Sequence, residues 1–502
     1  MSAGNPYIGY GASGGSLLDQ AFAGFFAKSN SANADNASRQ ILASRSRILE
    51  QCSPIARAAI SRMCAGCIGS GLRYSPMPEC ALIEDYAEET ARAGKAWERA
   101  SLLHGMDATR RMTAGELEGA VFRNAMIGGD AFLVRRRTGW RLLEERVCFT
   151  PPWFDIDPNN FWVRRAPNGA AVVDGVELSK GLAPRAYWFT SSPESAAEPE
   201  SWYRVPAYDR AGLPCVLHFA MIDRADQYRG IPLLAPVLEV LWSTLAYAKA
   251  ETQGAILEAC QTYVVTTNAQ NPTLDPLAGL TAAALDAPLV PEDKDGEGET
   301  AFEVDPLGMR TSWLGGAVRA SNIVSPGTSI HLRPGEDVKF LDPRRPNSYY
   351  AQFIDAQAKL VGAAVGIPSE VLLQHFDSSY SASRAALAQF GRTCEAFRRR
   401  FVESILKPMF AVFCAKRLDM DIDTAWIMAR ESVWIMRERP IHIDETKELQ
   451  FWLDAVAAGL VTKDEAAQAM FGHDAAVADD ESAKRAETPD AAPESGAEGS
   501  EA

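Results

Sequence analysis

Hydrophobic positions in the first part of the chain recur at helical spacing. Between residues 36 and 70, Ile41, Ile48, Ile55, Ala59, Ile60 and Met63 form one stripe around Pro54. A second helical pattern runs over 81–126 and includes Tyr86, Trp97, Leu102, Leu117, Val121 and Phe122. From about 130 to 222 the period changes. Short runs at 131–135, 142–149, 171–178, 185–190 and 215–222 alternate with turn residues, and Asp174-Gly175 is a two-residue hairpin signal. Helical stripes followed by such a block predict a mostly antiparallel sheet packed on helices, an α+β unit.

The helix signal returns after Arg229-Gly230-Ile231-Pro232. Leu234, Leu238, Leu241, Leu245, Ala248, Thr252, Ala255 and Ala259 alternate spacings of four and three, a heptad-like seam that predicts a straight strut. Regularity is lost over 263–346, where Pro291–Thr300 is acidic and Gly-rich and Ser325-Pro326-Gly327 and Arg333-Pro334-Gly335 signal turns. A second strut is capped by Asn347, striped by Tyr349, Phe353, Ala356, Leu360 and Ala363, and ended by Gly366 and Pro368. After a connection to about Ser381 comes a long amphipathic helix with Leu387, Phe390, Cys394, Phe397, Phe401, Ile405 and Met409 on one face. Another helix is expected from about Asp444 to a stop at Gly459, and Thr462-x-x-Glu465 is a capping box opening the next. The Gly-, Ser-, Ala- and Asn-rich residues 1–35 are expected to form a mobile arm, and those beyond Asp474 to be disordered.

Charge changes the picture of function more than that of fold. A formal charge of −15 argues against a protein that simply grips nucleic acid, because phosphate binding rests on Lys and Arg. From Asp474 onward nine acids face two bases, which places −7 of that charge at this end and leaves a mildly acidic body. No apolar run reaches the roughly 18 residues of a membrane span; the best, Ile231–Ala250, is broken by Pro236 and Glu239. No secretion signal opens the chain. Nine cysteines in 502 residues are too few for a disulfide scaffold and read as small buried hydrophobes of a reducing cytoplasm.

The chemistry-bearing motifs each lack their context. Cys64 and Cys67 make a lone C-x-x-C with Cys80 downstream and no second pair for zinc, so they read as helix-face cysteines. Gly9-Tyr10-Gly11-Ala12-Ser13-Gly14 matches G-x-G-x-x-G, and Gly11–Gly15 matches G-x-S-x-G. Too few residues precede either for the buried strand that both motifs need. Asp293, Asp295, Glu297, Gly298 and Glu299 imitate a calcium loop whose twelfth position is Val304 instead of an acid. Six scattered histidines show neither metal spacing nor a triad. No catalytic, metal or cofactor site emerges.

Four stretches, in order across roughly residues 38–474, together resemble the lambda family of phage portal proteins. The first joins Arg45-Ser46-Arg47, Ser53-Pro54-Ile55-Ala56-Arg57-Ala58-Ala59-Ile60 and Gly69-Ser70-Gly71-Leu72. The second is His218-Phe219 with Arg229-Gly230-Ile231-Pro232 and the following Leu233–Leu238. The third comprises Pro326-Gly327, Leu332–Glu336, Gly366-Ile367-Pro368-Ser369-Glu370 and Tyr380–Leu387; the fourth, Ile443-Asp444, Lys447-Glu448 and Gly459-Leu460. Ser379 stands where the family usually has Asn, and Ala382 replaces a second serine.

The resemblance implies a portal-type fold with an α/β wing, a two-helix stem, an α/β clip insert and a helical crown. It implies assembly of usually twelve copies as a ring at one capsid vertex of the virion, made in the bacterial host cytoplasm. Such a ring nucleates procapsid assembly with capsid or scaffold proteins, docks the terminase large subunit, passes double-stranded DNA and then joins head–tail connector proteins. No enzyme activity, cofactor or membrane is implied. On this chain the wing is expected at 36–230 with the long helix 382–418, and the stem at 231–262 and 347–366. The clip falls at 263–346, a candidate channel loop at 367–381 and the crown at 419–474.

That connection carries the polar residues Gln374, His375, Asp377, Ser378, Ser379 and Tyr380 and little to fill a core beyond Leu372, Leu373 and Phe376. Repeated around a ring, it is a candidate DNA-channel loop; the alternative is a surface connection packed on the neighbouring subunit. Arg398, Arg399 and Arg400 are candidate basic contacts to DNA, against a solvated helix face or subunit salt bridges. An acidic balance suits a conduit, since a bore rich in cations would hold phosphates. The competing classes are a hydrolase using Ser13 or an acid pair, and a non-ring head or tail structural protein.

Overall fold

The computed structural model describes residues 32–76, 86–158, 160–191, 198–225, 227–259, 263–267, 336–340, 349–376, 379–437, 445–463, 466–467 and 470. Ser13 and the glycine motifs, Cys80, the calcium-like loop, Asp377, Ser378, Glu465 and the acidic end lie outside them. The chain divides into two compact units, Met1–Leu245 with Gln352–Ala502, and Ala246–Ala351.

In the first unit, α1 (Ala32–Cys52) and α2 (Pro54–Cys67) meet at Ser53, whose hydroxyl accepts the Ala56 N–H while Pro54 occupies a position where a missing N–H costs nothing. Strand β1 (Leu72–Pro76) is followed by α3 (Tyr86–Leu102) and α4 (Ala114–Gly128). The single helical pattern expected over 81–126 is thus two helices. The Asp107 carboxylate separates them by accepting the N–H groups of Thr109, Arg111 and Met112, and a Thr113–Glu116 capping box then opens α4.

The next strands are β2 (Asp130–Arg136), β3 (Gly139–Glu144), β4 (Asp155–Asp157), β5 (Asn160–Arg165), β6 (Ala171–Val173), β7 (Val176–Leu178), β8 (Pro184–Thr190), β9 (Trp202–Pro206) and β10 (Val216–Ala220). They make an antiparallel three-stranded sheet in the order β10-β2-β3 and a six-stranded antiparallel meander from β4 to β9. The small sheet lies between two cores. Ala131, Leu133, Leu217 and Phe219 face the helices, whereas Phe132, Val134 and Val216 face the meander. A strand buried on both faces reads as the unbroken apolar run Ala131–Val134 rather than as an alternation. Between β6 and β7, Asp174 and Gly175 both adopt positive φ (43° and 88°), the hairpin turn their sequence announces.

The remaining elements are α5 (Leu238–Ala259), β11 (Tyr263–Thr267), β12 (Glu336–Phe340), α6 (Tyr350–Val365), α7 (Ser369–Leu373), α8 (Tyr380–Phe401), α9 (Lys407–Arg417), α10 (Ile422–Arg430), β13 (Ser432–Met436) and α11 (Glu445–Ala457). Helix α5 starts later than 231, because Pro236 lies in a preceding short 3-10 turn at Ala235–Val237. Within the second unit, β11 and β12 pair antiparallel, and the Tyr247 and Tyr350 rings stack with centroids 5.9 Å apart. The long helix expected over 382–418 is α8 and α9 joined by one π turn at Val402–Leu406, where the Lys407 N–H donates to the Val402 carbonyl. That wider turn precedes Pro408, which has no N–H to continue an α-helical ladder.

Beyond α9 the chain packs back on the earlier helices and on β1. Strand β13 pairs with β1 from Leu72↔Met436 to Pro76↔Ser432, and Trp97 of α3 meets Phe410, Phe413 and Trp434 edge-on. Ala425, Met428 and Ala429 of α10 are fully buried in the same core. Aromatic burial thus ties residues 425–436 to α3, α9 and β1.

Candidate functional site

The connection from α6 to α8 is more anchored than its polar sequence suggests. Gly366 takes φ +76° to end α6, and the Ile367 N–H returns to the Gly362 carbonyl at 2.8 Å. A side chain at Gly362 would collide with that Ile367 carbonyl (2.4 Å), so the tight reversal needs glycine there. Ile367, Val371 and Leu372 are buried, while Leu373 and Phe376 are 40% and 48% exposed. The expected core fillers Leu373 and Phe376 thus face solvent within this unit, and Val371 and Ile367 fill the core with Leu372. The physical reason is the one-turn helix α7, whose spacing turns Val371 and Leu372 inward and Leu373 away.

The displayed part is short. Gln374 leaves α7 in the left-handed conformation (φ 55°), and the Gln374 and His375 N–H groups both return to the Glu370 carbonyl. Gln374, His375 and Ser379 are exposed, and the Ser379 hydroxyl lies 3.1 Å from that of Ser381. Tyr380 opens α8. Asp377 and Ser378 lie outside the described residues.

The arginine triplet of α8 splits. Arg398 donates to the Gly66 and Cys67 carbonyls, both at 2.9 Å, and so closes the C-terminal end of α2. Its Nη1 also pairs with Glu395 at 2.6 Å. Arg400 donates to the Ala220 carbonyl at the end of β10 (2.8 Å), and burial lowers its guanidinium from the ordinary value. Arg399 alone is exposed. Two of the three candidate DNA contacts are therefore occupied inside the subunit, because helical rotation of about 100° per residue separates their directions.

Sequence reasoning missed the charge cluster at the foot of α5. Asp130 is fully buried and receives Arg229 Nε at 2.9 Å, His218 Nε2 at 2.8 Å and the Gly230 N–H at 2.7 Å. Arg229, equally buried, donates also to the carbonyls of Cys148, Asp174 and Glu145, and Arg39 bonds Asp174 at 2.6 Å. Burial by itself would raise the Asp130 carboxyl, but Arg229, His218 and Arg39 hold it well below the carboxylate range. His218 is lowered by burial and the two arginines, against the pull of Asp130. A Cβ at Gly230 would meet the Gly129 carbonyl at 1.9 Å, so Arg229-Gly230 is the residue pair that this close crossing accepts. The available signal was Asp130 itself, an acid heading an apolar run; nothing in the sequence paired it with Arg229.

Cys64 and Cys67 both lie on α2. Burial pushes the Cys64 thiol up to about 11, and Cys67 is raised by its hydrogen bond with the Cys394 thiol and by burial. Among the described residues no group of three His, Cys, Asp or Glu is arranged to hold a metal ion, and no helix is long and apolar enough to cross a membrane.

The profile of the family described as phage portal protein, lambda family, matches residues 19–398. The chain belongs to the lambda family of phage portal proteins. From that membership follow its structural role as a head–tail connector protein and its part in the conduit for DNA packaging. No curated protein sequence matches the chain. Among solved structures it is similar to a chain in the virion of a native gene transfer agent particle, with 13% identity, a TM-score of 0.47, and coverage of 85% of this chain and 92% of the other. A chain in the neck of the native particle computed with C12 symmetry gives 13%, 0.43, 82% and 88%. An HK97-family phage portal protein from Corynebacterium diphtheriae gives 13%, 0.32, 73% and 92%.

Proposed function

We propose that twelve copies of this chain close head to tail into a ring at one capsid vertex, and that double-stranded DNA passes through its bore. The ring nucleates procapsid assembly with capsid or scaffold proteins, docks the terminase large subunit during packaging and afterwards receives head–tail connector proteins. It has no catalytic activity of its own. The observation that carries this reading is the family match over residues 19–398. Repetition of one heterologous interface around a closed ring makes a hole without any internal repeat in the chain. In this reading 36–230 with 382–418 is the wing, 231–262 and 347–366 the stem, 263–346 the clip and 419–474 the crown. Class averages and native mass spectrometry should give closed rings; monomers or two-fold dimers across several salt conditions would rule them out.

In the same reading, residues 374–380 face the bore. Support comes from the exposed Gln374, His375 and Ser379, which lie between α7 and α8. Asp377 there repels phosphates, and Gln374, His375, Ser378, Ser379 and Tyr380 make brief polar contacts. Asp377→Lys should leave ring formation intact while slowing packaging, since a ring of cations binds the DNA backbone. Packaging at the normal rate and to full length, or failure already at ring assembly, would remove the loop from the bore. Of the second candidate set, Arg399 is the residue left for DNA, and Arg399→Glu tests it in the same packaging assay.

A further inference from the structure

The turn between β2 and β3 and the C-terminal end of α9 enclose a cavity of about 240 Å³. Five of its lining residues are cations, Arg135, Arg136, Arg137, Lys416 and Arg417, and none is an acid. Its apolar lining includes Trp140 and Phe413, only 5% and 8% exposed. Arg137, Lys416 and Arg417 are exposed and form no ion pair among the described residues. Arg135 is set differently. Asp209 holds its Nη2 at 2.6 Å, while its Nη1 is buried with no hydrogen-bond partner.

Local duties explain part of this arrangement. Lys416 and Arg417 complement the partial negative charge at the end of α9, and Arg136 lies over the Tyr203 ring at 5.7 Å. Neither duty explains why the other four cations converge without an acid in a chain of net charge −15, nor why a buried N–H of the Arg135 guanidinium is left unsatisfied. Both features point to an anionic occupant. The convex backbone of a duplex cannot reach the floor of so small a cavity and has no apolar group to offer Trp140 and Phe413. An extended acidic polypeptide can do both. It places one carboxylate on Arg135 and others on the rim, with small apolar residues between them.

The chain carries such a segment. From Asp474 to its end, nine acids and two bases are interspersed with Ala, Val and Pro. At about 3.3 Å per extended residue, these 29 residues reach on the order of 100 Å. We propose that residues 474–502 dock on this basic cavity and cover its cations. The proposal is independent of the conduit reading, and its test does not require a ring.

Zero-length carbodiimide coupling of the full chain at low salt, read by mass spectrometry, should join Lys416 to Glu481 or Glu487. Arg136→Glu with Arg137→Glu should cut that yield about tenfold while leaving the melting temperature unchanged, since both side chains are exposed at the hairpin tip. A variant altered only in the acidic segment, Asp479→Asn with Asp480→Asn and Glu481→Gln, should weaken the Lys416–Glu487 product as well. Raising the salt to 1 M should abolish all of it. Absence of any Lys416 product with this segment overturns the proposal, as does a yield indifferent to both variants. So does a duplex oligonucleotide that binds through Arg136 and Arg137 while the coupling products are missing, which would assign the surface to nucleic acid.

Discussion

Two runs of three consecutive arginines have opposite fates in this molecule. In α8, Arg398 and Arg400 turn inward to the orphan carbonyls of α2 and to the last carbonyl of β10, and only Arg399 meets solvent. At the tip of the β2–β3 hairpin, Arg135 is partly buried on Asp209, and Arg136 and Arg137 remain exposed around a cavity that holds no acid. The runs are identical in sequence. What separates them is which backbone carbonyls lie within a guanidinium's reach. A charge run is therefore weak evidence for a binding surface until its carbonyl partners are known.

The comparison extends to buried acids, where the largest effect is expected. Asp130 is matched by Arg229, whereas Glu118, also buried, accepts the Leu72 N–H at 2.8 Å. Asp130→Asn leaves the buried Arg229 with only the more distant Asp174 carboxylate, at 3.8 Å, among the described residues and should cost about 3–5 kcal/mol in chemical denaturation. Because the folded pKa of Asp130 is depressed, its contribution is present above the unfolded value of about 4 and is lost as pH falls below that. The variant should therefore show a flatter acid limb. A cost under about 1 kcal/mol would mean that Arg229 finds other anions.

Glu118 behaves in the opposite sense. Burial pushes its carboxyl up to about 8, against the Leu72 N–H and Arg437, which favour the charged form. A raised folded pKa contributes stability that is full below about pH 4 and lost as pH rises to about 8. Glu118→Gln keeps an acceptor for Leu72 and cannot ionise, so it should stabilise the protein by about 3 kcal/mol at pH 9 and little at pH 5. Equal melting shifts at both pH values would contradict a protonated Glu118.

The smallest effects sharpen the arginine contrast itself. Arg398→Ala strips two carbonyls of α2 of a charged donor and should cost about 1.5–3 kcal/mol. Arg399→Ala and Arg137→Ala, both exposed, should stay within about 0.5 kcal/mol of the parent. Equal losses for Arg398 and Arg399 would erase the distinction between the two sides of α8.

Much of the secondary structure was legible from spacing. The α1–α2 pair, the Asp174-Gly175 hairpin, the stripe from Cys394 to Met409 and the stop at Gly459, where φ is +69°, follow from local chemistry that neighbours along the chain supply. The candidate loop was legible only in outline. Its polar residues marked a connection, but α7 buries Val371 and Leu372 and leaves Leu373 and Phe376 exposed, and five residues are too few to show a period. Strands β1 and β13 went unread because, among the described residues, each pairs only with the other, across more than three hundred residues.

By itself the sequence determined the alternation of helical and strand blocks, the mildly acidic body, the acidic end and the family. These are properties of residue type and short-range order, and they survive without knowing what packs on what. Tertiary structure alone decided that Asp130 meets Arg229, that Trp97 meets Trp434 and that two arginines of α8 are consumed internally. Those contacts join distant segments. Burial sets their strength, through desolvation and the need to satisfy every buried polar group, and no pattern along the chain encodes burial between residues so far apart.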